Sequence, residues 1–410
     1  MYKESTLENG LKVLTYEDKS IPVIDIKLVF KAGSRYEEIH QKGYAHILEH
    51  MLMKGTVKRP TPVLIAKEID TKGGYKNAIT NRESLSIVLQ AADNYSEELF
   101  ELLSDMLLNS LIDSTVLENE KKIIIEELKK ADDNIESFFW RFTFEKLFNG
   151  HPLASNILGD PESIMSADDS KLRIYKDKFL VPDGAALIVS GNINHDKVVV
   201  LAQKYFSEWS GKLNTMPAIE LKSAPQKPYF YTKDTKQTIV SYNFYTVPAS
   251  KAREFLALDL IRFFLNFGGS SILNEELRHK RGLVYSTLLW NTRFSDAGLF
   301  AIKTSTTKPK ETIKVIEDIV SNLKNLFTAN LLEGIKARRI GAFKCHIANP
   351  YNQNIFLSEG FLDLGRLITP KEYITEISSI SYDEILHVID AYLVTEKAVI
   401  TAIGPEDIAS

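Results

Sequence analysis

The stretch Gly43–Thr56, GYAHILEHMLMKGT, decides how this chain is read. Ala45, Leu48, Leu52 and Met53 recur at helical spacing and can pack on one side, which predicts a helix over 44–54. His46 and His50 are four residues apart, so their rings share one helix face, a turn apart. Imidazoles so placed can bring two ring nitrogens to a point about 2.0–2.1 Å from a zinc ion. Glu49 lies three residues after His46, on the same face. A carboxylate there can take a proton from a metal-activated water without binding the metal itself. An ordinary amphipathic helix could also carry two histidines. In a chain with eight His, however, this five-residue pattern arises by chance in only on the order of 1% of cases.

A catalytic zinc takes three protein ligands and keeps one position open. Leu117–Asp133, LENEKKIIIEELKKADD, offers acidic candidates on a second predicted helix. Glu120 and Glu127 are seven apart and share a face, while Glu126 points elsewhere. On spacing alone the run reads equally as an acidic solvent face with Ile123 and Ile124 in the core, so the third ligand stays open.

Outward from these two helices the chain alternates strand pairs with helical blocks. Leu11–Tyr16, Val23–Lys31, Lys76–Thr80, Ser84–Ala91 and Ala185–Gly191 read as strands from their β-branched and apolar content. Thr61–Lys72 reads as a helix, and a long helical signal runs over 94–148 with a break near Asn109–Ser114. Asp160-Pro161 marks another helix start, with Asp as N-cap and Pro at the first helical position. Periodicity fades between Glu208 and Pro228, where Gly211, Pro217, Pro225 and Pro228 suggest a linker. Beyond it Thr238–Tyr245, Val284–Asn291, Gly298–Thr306 and Val399–Ile403 read as strands, and Lys251–Asn266, Ser271–Lys280 and Lys310–Phe327 as helices. The expected class is α+β, with two similar domains, each a mainly antiparallel β-sheet packed with α-helices. The expected boundaries are 1–210, a linker over 211–228, and 229–410.

Composition narrows the function. The chain has 410 residues, 44% hydrophobic and 25% charged, enough to bury large cores without disulfide or metal staples. A zinc ion is therefore free to be catalytic. Net charge is −4 and no basic stripe appears, which argues against nucleic acid. Cys345 is the only cysteine, so no intramolecular disulfide forms, as in a reducing compartment. MYKESTLENG has no apolar core or cleavage site, and no apolar run approaches the ~18 residues of a membrane span. The expectation is a cytoplasmic protein without membrane contact.

Taken together, the two acidic and histidine segments resemble the pitrilysin/insulinase family of zinc peptidases, the processing-peptidase-like inverzincins with HxxEH. In that family about 76 residues separate the motif from a glutamate ligand. The resemblance selects Glu127 as third ligand, Glu49 as general base, and Glu120 as the carboxylate that supports the site. GGYKNAIT is similar to the family's GGxxNAxT, which implies that Asn77 and Ala78 lie on an edge strand that pairs with extended substrate. LRHKRGLVYS resembles a second-domain motif, which implies that Arg278 and Tyr285 polarise the substrate carbonyl. Taken alone, Arg278 reads as a surface helix residue and Tyr285 as a strand residue packing in the core. HPLASNILGDPESI, the region 175–206 and the terminal IGPEDI are also family-like. Departures are small: Ile47 where Phe is common and Lys121 where Arg is common.

The resemblance implies a zinc endopeptidase with one Zn2+ per chain. It would act on peptides or unfolded polypeptide inside a dimeric chamber, as a homodimer or as a heterodimer with a paralogue. The alternative is a non-catalytic or partner subunit of a processing-peptidase-like complex. Such subunits typically carry a damaged HxxEH, and this one is intact.

Overall fold

The structure, a computed structural model, describes residues 1–214, 218–222 and 227–405. Parts of the expected linker, 215–217 and 223–226, and residues 406–408 of IGPEDI lie outside the described residues. Two compact units form, each built on one sheet.

The first sheet contains β1 (Tyr2–Thr6), β2 (Lys12–Glu17), β3 (Val23–Phe30), β4 (Tyr75–Thr80), β5 (Leu85–Ala92) and β6 (Ala185–Gly191). Their spatial order is β1-β2-β6-β3-β5-β4. The second contains β7 (Tyr229–Thr232), β8 (Thr238–Thr246), β9 (Val284–Arg293), β10 (Gly298–Thr306) and β11 (Val399–Gly404), ordered β7-β11-β8-β10-β9. Counted along the chain, β2 to β6 and β7 to β11 follow the same spatial order: first, fifth, second, fourth, third. In both, the first and fifth strands are parallel and the other pairings antiparallel. The repeat read from element order is thus a repeat of topology.

Sequence explains the first sheet's two faces. In β3, VIDIKLVF, Ile24, Ile26, Leu28 and Phe30 join the main core of this unit, while Asp25 and Lys27 face the other way. That polar face is covered by the helix Pro350–Leu364. Asn354 Nδ2 donates to Asp25 Oδ1 at 2.6 Å and Lys27 Nζ to Ser358 Oγ at 3.1 Å. Covered on both faces, β6 opens as an apolar run, Ala185–Val189, and is buried along its whole length; its one polar side chain, Ser190, bonds Asn354 of the covering helix.

The compact units do not keep chain contiguity. Segment Glu136–Ala154 belongs with the second sheet and segment His346–Thr369 with the first. In the second unit, Thr143 on the helix Ile135–Leu147 meets Thr401 of β11 at 2.9 Å between hydroxyls. Each sheet therefore takes a covering helix from the opposite half of the sequence.

Several local elements differ from expectation: β7 is not among the expected strands, and the expected helix 310–327 breaks at Asn322. β1 pairs with β2 although YKEST has no apolar alternation, because an edge strand needs only backbone bonds. The expected α-helix 271–280 widens into a π-helical turn at Asn274–His279, with Lys280 N–H bonding Glu275 O at 2.9 Å. Gly282, at φ +59, ends it before β9.

Candidate metal centre

The helix Tyr44–Leu52 carries the HxxEH residues. Ala45, Ile47, Leu48, Met51 and Leu52 are sunk in the core, which turns His46, Glu49 and His50 to its other face. Its N-cap is Gly43 at φ +97, a conformation only glycine adopts without strain, and Gly43 has no side chain to cap the helix. Glu37 supplies the cap from outside. Its two carboxylate oxygens accept from the backbone N–H of Gly43 and of Ala45, each at 2.8 Å. Burial pushes this carboxyl up to about 8, against those bonds.

The acidic helix Ser114–Asp133 lies across from it in the same unit. Asp113 caps it through Thr115 and Val116. Its buried stripe is Leu117, Glu120, Lys121, Ile124 and Leu128, so a carboxylate lies within the inward face. Ile123, one of the two isoleucines of the solvent-face alternative, is exposed. Glu126 is exposed too and pairs with Lys129.

Five sequence-predicted residues come together here. Glu127 Oε2 lies 3.8 Å from His46 Nε2 and 3.7 Å from His50 Nε2. Glu120 Oε2 meets His50 Nδ1 at 3.0 Å, and its other oxygen meets Lys54 Nζ at 2.8 Å. Glu49 Oε2 accepts from the Thr80 hydroxyl at 2.6 Å. His46, Glu49 and His50 by themselves form a cluster whose donor atoms lie within 4.8 Å of one another. The choice of third ligand is then between Glu49, held by Thr80, and Glu127, one oxygen of which faces both ring nitrogens. Geometry favours Glu127.

The donor set fits zinc. Ligand atoms around a tetrahedral zinc are roughly 3.3–3.5 Å apart, and the observed separations are a few tenths wider. Burial and the neighbouring His50 bring His46 down to about 4, so its imidazole is neutral at pH 7 with a lone pair to give. Among the described residues His46 Nδ1, which is buried, has no hydrogen-bond partner, whereas Nδ1 of His50 is held by Glu120. Burial raises Glu49 from its ordinary value, and the Thr80 hydrogen bond opposes this. A carboxyl so raised is a stronger proton acceptor.

Asn77 and Ala78 are on β4, which ends the first sheet and pairs only with β5 among the described residues. Arg278 and Tyr285 are both exposed in the second unit. The Arg278 guanidinium sits 5.0 Å from the centre of the Tyr285 ring. Sequence reasoning passed over Glu37, Lys54 and Thr80. Thr80 closes the quoted GGYKNAIT run, and Lys54 lies one turn beyond His50. Glu37 carries no local signal.

Residues 12–161 match the family model described as insulinase (peptidase family M16). Residues 167–339 match the model described as peptidase M16 inactive domain. An uncharacterized zinc protease of Rickettsia felis is 29% identical, with 98% of each chain covered. A mitochondrial-processing peptidase subunit beta of Lentinula edodes is 27% identical over 98% of this chain and 90% of its own. The crystal structure of a protease from Helicobacter pylori has a TM-score of 0.88 at 21% identity, covering 99% of both chains. No helix among the described residues is long and apolar enough to cross a membrane.

Proposed function

The chain belongs to the insulinase family of peptidases (M16), and from that premise we propose that it is a zinc-dependent endopeptidase acting on peptides or unfolded polypeptide. The observation that carries this is the Glu127 oxygen facing both histidine Nε2 atoms, with Glu49 beside them.

His46, His50 and Glu127 would hold one zinc ion per chain. When bound, the ion supplies Lewis acidity to a water and to the substrate carbonyl. Glu49 accepts the proton of the attacking water and returns it to the leaving amine. Glu120 keeps His50 oriented through Nδ1. An extended peptide adds to the free edge of β4 at Asn77 and Ala78, where backbone bonds give affinity with little sequence demand. Arg278 and Tyr285 hold the developing oxyanion. In the assembly we propose, two chains enclose a chamber and the Arg278–Tyr285 pair of one serves the centre of the other. A homodimer supplies every part; a heterodimer with a paralogue is the variant arrangement.

The test is cleavage of a peptide mixture, read by mass spectrometry. Internal cleavage should be lost on chelation, return with about one zinc per chain, and be absent in Glu49→Gln. Cleavage at the native rate by Glu49→Gln overturns the proposal.

A further inference from the structure

The side chain that holds Glu49 belongs to the edge strand. Thr80 is the last residue of β4 and is buried. Its hydroxyl donates to Glu49 Oε2 at 2.6 Å. Both partners stand on rigid elements. Thr80 is in ladder register with the fully buried Leu85 of β5. Glu49 rides a helix whose apolar side is fixed in the core. A glutamate has three side-chain torsions, and a β-branched residue has few rotamers at its first. The stiff side chain therefore sets the position of the flexible one.

We propose that Thr80 is the positioning residue of the catalytic base: it holds Oε2 of Glu49 and leaves the other carboxylate oxygen to the attacking water. This rests on the reading of Glu49 as general base. It also links two tasks in one strand, because Asn77 and Ala78 lie three and two residues before Thr80. Ala78 and Thr80 share a strand face. The segment that would pair with substrate thus continues into the group that aims the base.

Three substitutions test this, each on the full-length, zinc-loaded protein. Thr80→Val removes the hydroxyl at nearly constant shape. Thr80→Ala and Thr80→Ser differ only in the hydroxyl, so comparing them isolates it even if the valine variant folds poorly. The expected loss is in kcat, about 10–100-fold for Thr80→Val and Thr80→Ala, with zinc content and KM within about twofold of native. Thr80→Ser should recover to within about threefold of native. In a Glu49→Gln background, Thr80→Val should cost nothing further. A native kcat in Thr80→Ala overturns the inference, and so does a Thr80→Ser variant as impaired as Thr80→Ala, which would assign the role to the methyl group. Crystal structures give a readout independent of turnover. The Glu49 carboxylate should leave its position in Thr80→Ala and keep it in Thr80→Ser, and an unmoved carboxylate in Thr80→Ala overturns the inference. If the native protein cleaves no peptide, the peptidase reading fails, while the structures still decide the part played by Thr80.

Discussion

His50 Nδ1 and Glu120 Oε2 meet at 3.0 Å, and that contact decides which nitrogen of His50 is left for a metal. With Nδ1–H donating to the carboxylate, the lone pair sits on Nε2, the atom that faces Glu127. Glu120 is almost fully buried and Lys54 closes on its second oxygen, so the carboxylate has little freedom to turn away.

Glu120→Gln should therefore weaken zinc binding without abolishing it. The amide can still accept from Nδ1–H but carries no charge. A loss of about 10–100-fold in zinc affinity is expected. Titration against a competing chelator reads it directly. Loss of all zinc, as expected for His46→Ala or His50→Ala, would instead make Glu120 indispensable to metal binding.

Glu49 and Glu127 lie near the same two rings, and their amide variants separate base from ligand. Glu49→Gln should retain zinc and lose turnover by at least ~100-fold. Glu127→Gln should lose zinc first, and activity in proportion. If zinc leaves with Glu49→Gln and stays with Glu127→Gln, the two assignments exchange.

The motif face was legible because helical period alone places residues 46, 49 and 50 together. β6 was legible because a strand covered on both faces is mostly apolar, as Ala185–Val189 is. The residues that hold the site in place were not. Thr80 reaches Glu49 from a strand 31 positions on, and Glu37 reaches the start of the motif helix from six before. Neither distance has a period. Spacing left Glu120 and Glu127 equivalent, since both project from one helix face. Only the approach of His50 sets one on Nδ1 and the other opposite Nε2. The helices 135–147 and 350–364 look like ordinary members of their own halves, and the sheet each one covers is decided by long-range packing. β1 escaped notice because its burial is slight and its bonds are backbone.

Asp25 gives a pH test away from the metal. It is fully buried and bonded to Asn354 and Gln90, and burial raises its pKa to about 6 from 3.8. The folded state then binds the proton more tightly than the unfolded chain. That contribution is present below about pH 4 and is lost as pH rises through 6. A shift of about two units corresponds to at most ~3 kcal/mol. Asp25→Asn stays neutral, and the Gln90 amide can rotate to accept from it. Urea unfolding of both proteins in chelator should show the variant gaining about 1–3 kcal/mol on the native chain between pH 5 and pH 8. Parallel curves would show that Asp25 ionises alike in both states.

The assembly is tested through Tyr285. Its side chain is 79% exposed at the start of β9, so Tyr285→Phe removes a hydroxyl without disturbing a core. Stability and zinc content should be native. If the hydroxyl holds the oxyanion, turnover should fall by about 10–1,000-fold. Mixing then asks which chain it serves. Glu49→Gln and Tyr285→Phe proteins are each nearly inactive alone. In a mixed dimer with crossed sites, one centre combines an intact Glu49 with an intact Tyr285 from its neighbour, and the other carries both defects. Activity should return in part, to no more than about half of native, since one centre in two is whole. Native mass spectrometry reports whether subunits have exchanged. Exchange without recovered activity would mean that Tyr285 acts within its own chain or not on the reaction at all, and the crossed arrangement would fall.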